Sequence, residues 1–192
     1  MRIVSGAFRG RTLTTPAGQG TRPTSDRARQ AIFNILEHAA WSEGVRDRRV
    51  IDLFAGSGAL GFEALSRGAA FCLFVETDEA ARGAIRETIG ALELFGQTRV
   101  HRRDATDLGV RPGSDGPAFD LAFLDPPYGL GLGEAALAGL AAGRWLSPGA
   151  LVVLERGASE AAFAVAGFTT MDARDYGAAR VNFLRFEGAY GQ

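Results

Sequence analysis

A chain of 192 residues with 46% apolar residues and a net charge of −1 has room for one domain with a modest core and a short appendage. No apolar run reaches the roughly 18 residues of a membrane helix, the single cysteine (Cys72) excludes a disulfide framework or a cysteine zinc site, and the first residues lack the apolar core of a secretory signal, so the expected setting is the cytoplasm. The charge is unevenly spread: residues 1–30 hold six arginines (Arg2, Arg9, Arg11, Arg22, Arg27 and Arg29) against one acid, Asp26, and arginine forks pair with phosphate bidentately and stack on bases.

Ile3-Val4 and Arg11-Thr12-Leu13 read as a short hairpin with Gly6 and Gly10 near its turn. Residues 15–20 are loop by their Pro and Gly content. Thr24, Ser25 or Asp26 can cap a helix running to about His38, with Ala28, Ala31, Ile32, Ile35, Leu36 and Ala39 at helical spacing. Arg27 and Arg29 fall in its first turn, where the helix dipole prefers acids. That placement implies either a partner anion or a solvated face.

A polar link over residues 42–48 leads into the main pattern. Strands are expected at 50–54, 71–76, 99–103, 119–124 and 150–155. Helices are expected at 59–69, 78–95 and 133–146, the last closed by Ser147-Pro148-Gly149, with a short helix at 159–166. Residues 168–174 and 179–187 form a final strand pair around Asp175-Tyr176-Gly177. Strands alternating with helices imply an α/β fold, a doubly wound and mostly parallel sheet. The closing pair implies one antiparallel strand. Residues 1–45 form a basic hairpin-and-helix extension, and residues 46–192 a Rossmann-like domain.

Ligands of such sheets bind beyond the carboxyl ends of the strands. Gly56, Gly58 and Gly61 follow the first strand as G-x-G-x-x-G, and Glu76 lies twenty residues after Gly56. On spacing alone this is also a dinucleotide fingerprint. Electrostatics separates the two readings, because Asp52, Glu76, Asp78, Asp104 and Asp125 all fall at or near strand ends. So many carboxylates repel a pyrophosphate. They suit a sulfonium ligand with an amino group, ribose hydroxyls and an adenine amine, which favours S-adenosylmethionine over NAD. Gly56 and Gly58 let backbone approach the ligand. Glu76 can accept both ribose hydroxyls, Asp104 the adenine amine, and the Ala105 N–H can reach a ring nitrogen. Asp52 can hold the amino-acid end. Phe54 lines the ligand or packs in the core, and Asp125 borders both cofactor and acceptor.

Asp125-Pro126-Pro127-Tyr128 closes the strand at 119–124. Each proline fixes φ and removes an N–H, so the carbonyls there can point outward. A carboxylate, an outward carbonyl and a flat aromatic face suit a planar base carrying an exocyclic amine. Asp125 and Pro126 are the expected acceptors of its hydrogens, and Tyr128 the stacking platform. No metal is needed.

Residues 52–67, with Asp125-Pro126-Pro127-Tyr128, resemble the bacterial small-subunit ribosomal RNA guanine-N2 methyltransferases of the RsmD type. Residues 2–11 and the segment Arg22-Pro23-Thr24-Ser25-Asp26-Arg27 are similar to that family too, and the likeness covers nearly the whole chain. It implies a seven-stranded S-adenosylmethionine-dependent methyltransferase fold. It also implies a target guanine in 16S rRNA, within the small ribosomal subunit or an assembly intermediate. Arg9, Arg11, Arg22, Thr24 and Arg27 would contact the RNA, with Tyr128 on the base. Family members commonly mix lysine into this segment, whereas here arginine stands alone. A small single domain reading a structured particle is expected to act as a monomer. Rival readings are a DNA adenine-N6 methyltransferase, a protein or small-molecule methyltransferase, a noncatalytic RNA-binding assembly factor and an NAD oxidoreductase. The first wants a larger recognition region than this chain spares. The next leaves the basic N-terminus unexplained, and cofactor titration separates the last.

Overall fold

The computed structural model describes residues 1–16 and 25–188. The chain runs α1 (Asp26–His38), β1 (Arg49–Leu53), α2 (Ala59–Ser66), β2 (Phe71–Val75), α3 (Glu79–Ala91), β3 (Thr98–His101), β4 (Phe119–Leu124), α4 (Leu132–Ala142), β5 (Leu146–Gly157), β6 (Phe168–Tyr176) and β7 (Ala179–Phe186). The strands form one seven-stranded sheet in the order β3-β2-β1-β4-β5-β7-β6. β1 pairs in parallel with both β2 and β4, and β7 runs antiparallel between β5 and β6. The chain winds outward from β1 to β3, then returns to β4 on the other side of β1. That reversal opens a crevice beyond the carboxyl ends of β1 and β4.

The apolar runs behave as strands buried on both faces. Val50, Cys72, Phe74, Leu121 and Phe123 point into one core with residues of α1, α2 and α3. Ile51, Leu53, Leu73, Val75, Ala122 and Leu124 point into a second core with Ala136, Leu137 and Leu140 of α4. Alternate residues of each strand therefore serve opposite layers.

The N-terminal segment is docked on the first of these cores. Ile3, Leu13, Ile32, Phe33 and Leu36 are buried in it. The hairpin is reduced to one bridge, Arg2 to Thr12, with Ile3 N–H donating to the Arg11 carbonyl (3.0 Å) and Leu13 N–H to the Met1 carbonyl (3.0 Å). Part of its backbone is occupied with α2 instead. Val4 and Ser5 N–H donate to the Glu63 carboxylate at 2.8 and 3.0 Å, and Ala7 N–H donates to the Ser66 carbonyl at 2.8 Å. Gly6 makes this approach possible: its φ is +81°, and a Cβ there would lie 1.9 Å from the Ser66 carbonyl oxygen.

Ser25 caps α1, its hydroxyl accepting from Ala28 N–H at 3.1 Å. Arg27 is exposed, but Arg29 faces no external anion. Its side chain is fully buried, 2.8 Å from Asp26 and 3.6 Å from the equally buried Glu63. The anion implied by an arginine in this first turn is, for Arg29, internal to the protein.

Two expected elements differ. Ser147-Pro148-Gly149 lies inside β5 rather than after a helix. Phe119 pairs with Leu146 while Leu121 pairs with Leu151, so the tripeptide bulges out of the ladder, where Pro148 needs no N–H partner. The Ser147 hydroxyl secures the bulge against the Phe119 carbonyl (3.0 Å) and Asp120 (2.9 Å). Residues 159–166 form no helix. The Glu160 carboxylate accepts from Gly157 N–H at 2.7 Å, and Arg156 takes the Ala161 carbonyl at 2.9 Å. Arg156 thus claims a carbonyl that a first helical turn would use, while Glu160 turns back to the end of β5.

Candidate active site

β1 delivers Asp52 and then breaks sharply. Phe54 adopts φ +58°, Gly56 +55° and Gly58 +77°, a left-handed series that turns the chain into α2. Two acids hold the loop. Asp52 Oδ2 accepts from Gly61 N–H at 3.0 Å. Glu76, at the end of β2, accepts from Gly56 N–H and Asp78 N–H, each at 2.8 Å.

The loop wraps one side of a cavity of about 840 Å³, within the range of small-molecule sites. Asp52, Phe54, Gly56, Glu76, Asp104, Ala105, Asp125, Pro126 and Tyr128 all line it. So do Met1, Thr15 and Pro16, which brings the N-terminal segment onto its rim. Gly58 does not. It begins α2, and a Cβ on it would meet the Phe62 and Phe74 rings at 2.8 and 2.9 Å. Its smallness serves helix–sheet packing rather than a ligand, as does that of Gly61, where a Cβ would lie 2.3 Å from Phe74. Gly56 is the opposite case. A Cβ there would touch no protein atom within 4 Å, so packing does not explain it; its conformation and its place on the cavity wall do.

The carboxylates differ in state. Burial pushes Asp52 well above the usual carboxylate range, the neighbouring Asp125 and Glu76 push it further, and the Gly61 N–H opposes them. Asp104 is exposed and held below the usual range by the Thr106 hydroxyl and N–H, which donate to Oδ1 at 2.7 and 2.8 Å. An entering cation would relieve the crowding around Asp52. Without one, Asp52 binds its proton more tightly folded than unfolded. The protein therefore loses stability as pH rises from the ordinary aspartate range to the raised value. Asp52→Asn keeps an acceptor for Gly61 and should remove that loss. Denaturant unfolding of the ligand-free protein across acid to neutral pH would show a flatter profile in the variant; parallel profiles would mean that Asp52 is not the group responsible.

β4 delivers the second wall. Asp125 is half-buried, Pro126 buried, and Pro127 exposed, while Tyr128 keeps 39% of its surface exposed. The loop then turns through Gly129 (φ +76°) and Gly131 (φ +66°) into α4. Residues the sequence pattern did not single out hold it. The Tyr128 hydroxyl donates to Glu155. Gly129 N–H donates to Glu160 at 3.1 Å. Arg156 joins Glu160 (3.2 Å) to Glu134 (2.6 Å) in the first turn of α4. Glu155 had a usable signal, an acid ending an apolar run; Leu154 pairs with Leu124, so Glu155, still paired with Val181 in the sheet, stands beside the chain where β4 gives way to Asp125. Glu160 had none, lying in a stretch that reads as helix.

Of the basic residues, Arg9 is exposed with no partner among the described residues. Arg11 is exposed but donates to the Ala91 carbonyl at 2.7 Å, at the C-terminus of α3. Arg22 and Thr24 lie outside the described residues. A smaller cavity of about 320 Å³, lined by Trp41, Arg48, Asp120 and Arg185 among others, sits near the start of β4, away from the carboxyl ends of the strands.

The family model described as conserved hypothetical protein 95 matches residues 1–185. A "Ribosomal RNA small subunit methyltransferase D" from Haemophilus influenzae is 36% identical over 156 residues, 81% of this chain and 78% of that protein. A "Putative rRNA methyltransferase YlbH" from Bacillus subtilis is 41% identical over 67% of each chain. Among solved structures, a "Putative methyltransferase yhhF" from Escherichia coli superposes with a TM-score of 0.82 at 30% identity, covering 98% of both chains. With the sheet order, the glycine loop and these relatives in agreement, the chain belongs to the conserved hypothetical protein 95 family, that of the ribosomal RNA small subunit methyltransferases D.

Proposed function

We propose that this protein transfers a methyl group from S-adenosylmethionine to the exocyclic N2 of a guanine in 16S rRNA, acting as a monomer on the small ribosomal subunit or an assembly intermediate. The observation that carries the reading is the meeting of two walls on one cavity: the acid-rich loop after β1 and β2, and Asp125 to Tyr128 after β4. The donor set suits the cofactor. Glu76, Asp104 and Asp52 are acceptors for hydroxyl, amine and ammonium groups, and Gly56 leaves room for a ligand against the backbone. S-adenosylmethionine supplies an electrophilic methyl on a sulfonium.

The protein's part is positioning and electrostatics. Glu76 holds the ribose hydroxyls with lone pairs left over from Gly56 and Asp78. Asp104, kept ionised by Thr106, accepts the adenine amine beside the Ala105 N–H, and Asp52 receives the amino-acid end. Tyr128 stacks on the flipped-out base, an interaction of about 1–3 kcal/mol. Asp125 and the Pro126 carbonyl accept the two hydrogens of the guanine amine, which turns its lone pair toward the methyl. Asp125 need not be a strong base, because the amine becomes acidic once methylated.

The test is transfer of labelled methyl to unmethylated small subunits, to their deproteinised RNA and to duplex DNA, followed by nucleoside analysis. N2-methylguanosine is the expected product. N6-methyladenine would move the reading to the DNA rival, and tight cofactor binding without transfer would favour the noncatalytic one.

Exposed Arg9 and Arg27 should pair with phosphate. Each alanine variant should weaken RNA binding and reduce the salt slope by about 0.7–0.9 for every phosphate no longer neutralised. An unchanged slope would assign them no phosphate.

A further inference from the structure

We propose that Glu155 is a positioning residue for the methyl acceptor: its carboxylate fixes where the Tyr128 ring stands at the mouth of the cavity. The inference deepens the proposed reaction and rests on it for the role of Tyr128. Tyr128 keeps 39% of its surface exposed and is followed by glycines of positive φ. A stacking platform must nevertheless be held in one orientation before the base arrives, or docking pays to order it. The structure supplies that order from outside the loop. The Tyr128 hydroxyl donates to Glu155, a residue only 8% exposed near the end of the long strand β5. A bond to a carboxylate is stronger than one to a neutral acceptor. The ring also lies beside Gly157, where an added Cβ would come within 3.4 Å of Tyr128 Cδ2. Glu160 holds the next residue through the Gly129 N–H, and Arg156 braces Glu160. Glu155 in β5 thus holds the hydroxyl and Glu160, just beyond β5, the backbone that follows the tyrosine, while Glu155 itself is not among the residues lining the cavity.

The test is a double-mutant cycle on small subunits with Glu155→Ala, Tyr128→Phe and the pair, plus Glu155→Gln. Tyr128→Phe keeps the ring and deletes the same bond from the exposed side, so it reports even where Glu155→Ala folds poorly. Both single variants are expected to lose about tenfold in kcat/KM, with S-adenosylhomocysteine affinity unchanged. The double variant should be no worse than Tyr128→Phe alone, and Glu155→Gln, which keeps an acceptor oxygen, should recover to within about threefold of wild type. Wild-type kinetics in Tyr128→Phe, or a Glu155→Ala loss repeated in full on the Phe background, would overturn the proposal. If the wild-type product is another methylated base, the guanine reading falls, while the same cycle measured on that product still decides the tether.

Discussion

Asp125→Ala should lower methyl transfer by about 10²–10³-fold while leaving cofactor affinity within a few-fold of wild type. The guanine amine is a poor nucleophile because its lone pair is delocalised into the ring. Attack becomes feasible when both hydrogens are drawn out of the base plane to acceptors and the lone pair is localised opposite them. Asp125 and the Pro126 carbonyl are placed to do this together. Pro127, with no N–H to donate, leaves the loop carbonyls without one backbone competitor. An alanine leaves one acceptor out of two and removes the charge that would offset positive charge developing on the amine. Asp125→Asn keeps an oxygen but not the charge, so its activity should fall between the two. The change should not unfold the protein. Asp125 is one of the charges that raise Asp52, so deleting it eases a repulsion in the ligand-free state. Single-turnover transfer, calorimetric cofactor binding and a denaturation midpoint, measured on the same preparations, would separate these effects. Near-wild-type turnover would remove Asp125 from the chemistry.

The reason so much of this site was readable is that parallel strands buried on both faces leave a nearly continuous apolar run, and whatever ends such a run stands at the ligand edge of the sheet. Glu76 and Asp125 follow such runs directly, Asp52 sits one residue inside the end of β1, and β4 was bounded to the residue. What failed to show has a different physical basis. The residues at 159–166 have helical composition, but Arg156 captures the Ala161 carbonyl and Glu160 turns back to the N–H groups of Gly157 and Gly129, contacts that no local pattern reveals. The bulge at Ser147 depends on Asp120, 27 residues away in sequence. Gly58 fits a ligand-binding spacing, yet its smallness answers to the rings of Phe62 and Phe74. Arg29 reads as surface charge because its buried counter-charge, Glu63, lies far along the chain, in α2.

That counter-charge, Glu63, carries the largest expected effect on stability. It is fully buried and offers both oxygens: Oε1 to Ser5 N–H (3.0 Å) and Arg67 (2.9 Å), Oε2 to Val4 N–H (2.8 Å), with Arg29 at 3.6 Å. Glu63→Ala would leave two buried guanidiniums, Arg29 and Arg67, each with one carboxylate fewer (Asp26 and Glu37 remaining), and two backbone N–H groups without acceptors. Breaking a buried pair from one side costs about 3–5 kcal/mol. The reduced stability should appear as a lower denaturation midpoint. The N-terminal segment should also loosen, since Val4 and Ser5 are held there, and weaker RNA binding should follow because that segment carries Arg9. The origin of the cost can be tested against simple loss of packing. If the buried Arg29 charge, left with only the exposed Asp26, dominates, adding Arg29→Met to Glu63→Ala should restore part of the stability, so the two changes would be strongly non-additive. If the cost is a cavity, the second substitution should destabilise further, and additivity would assign Glu63 a role in packing rather than in electrostatic anchoring of the N-terminal segment.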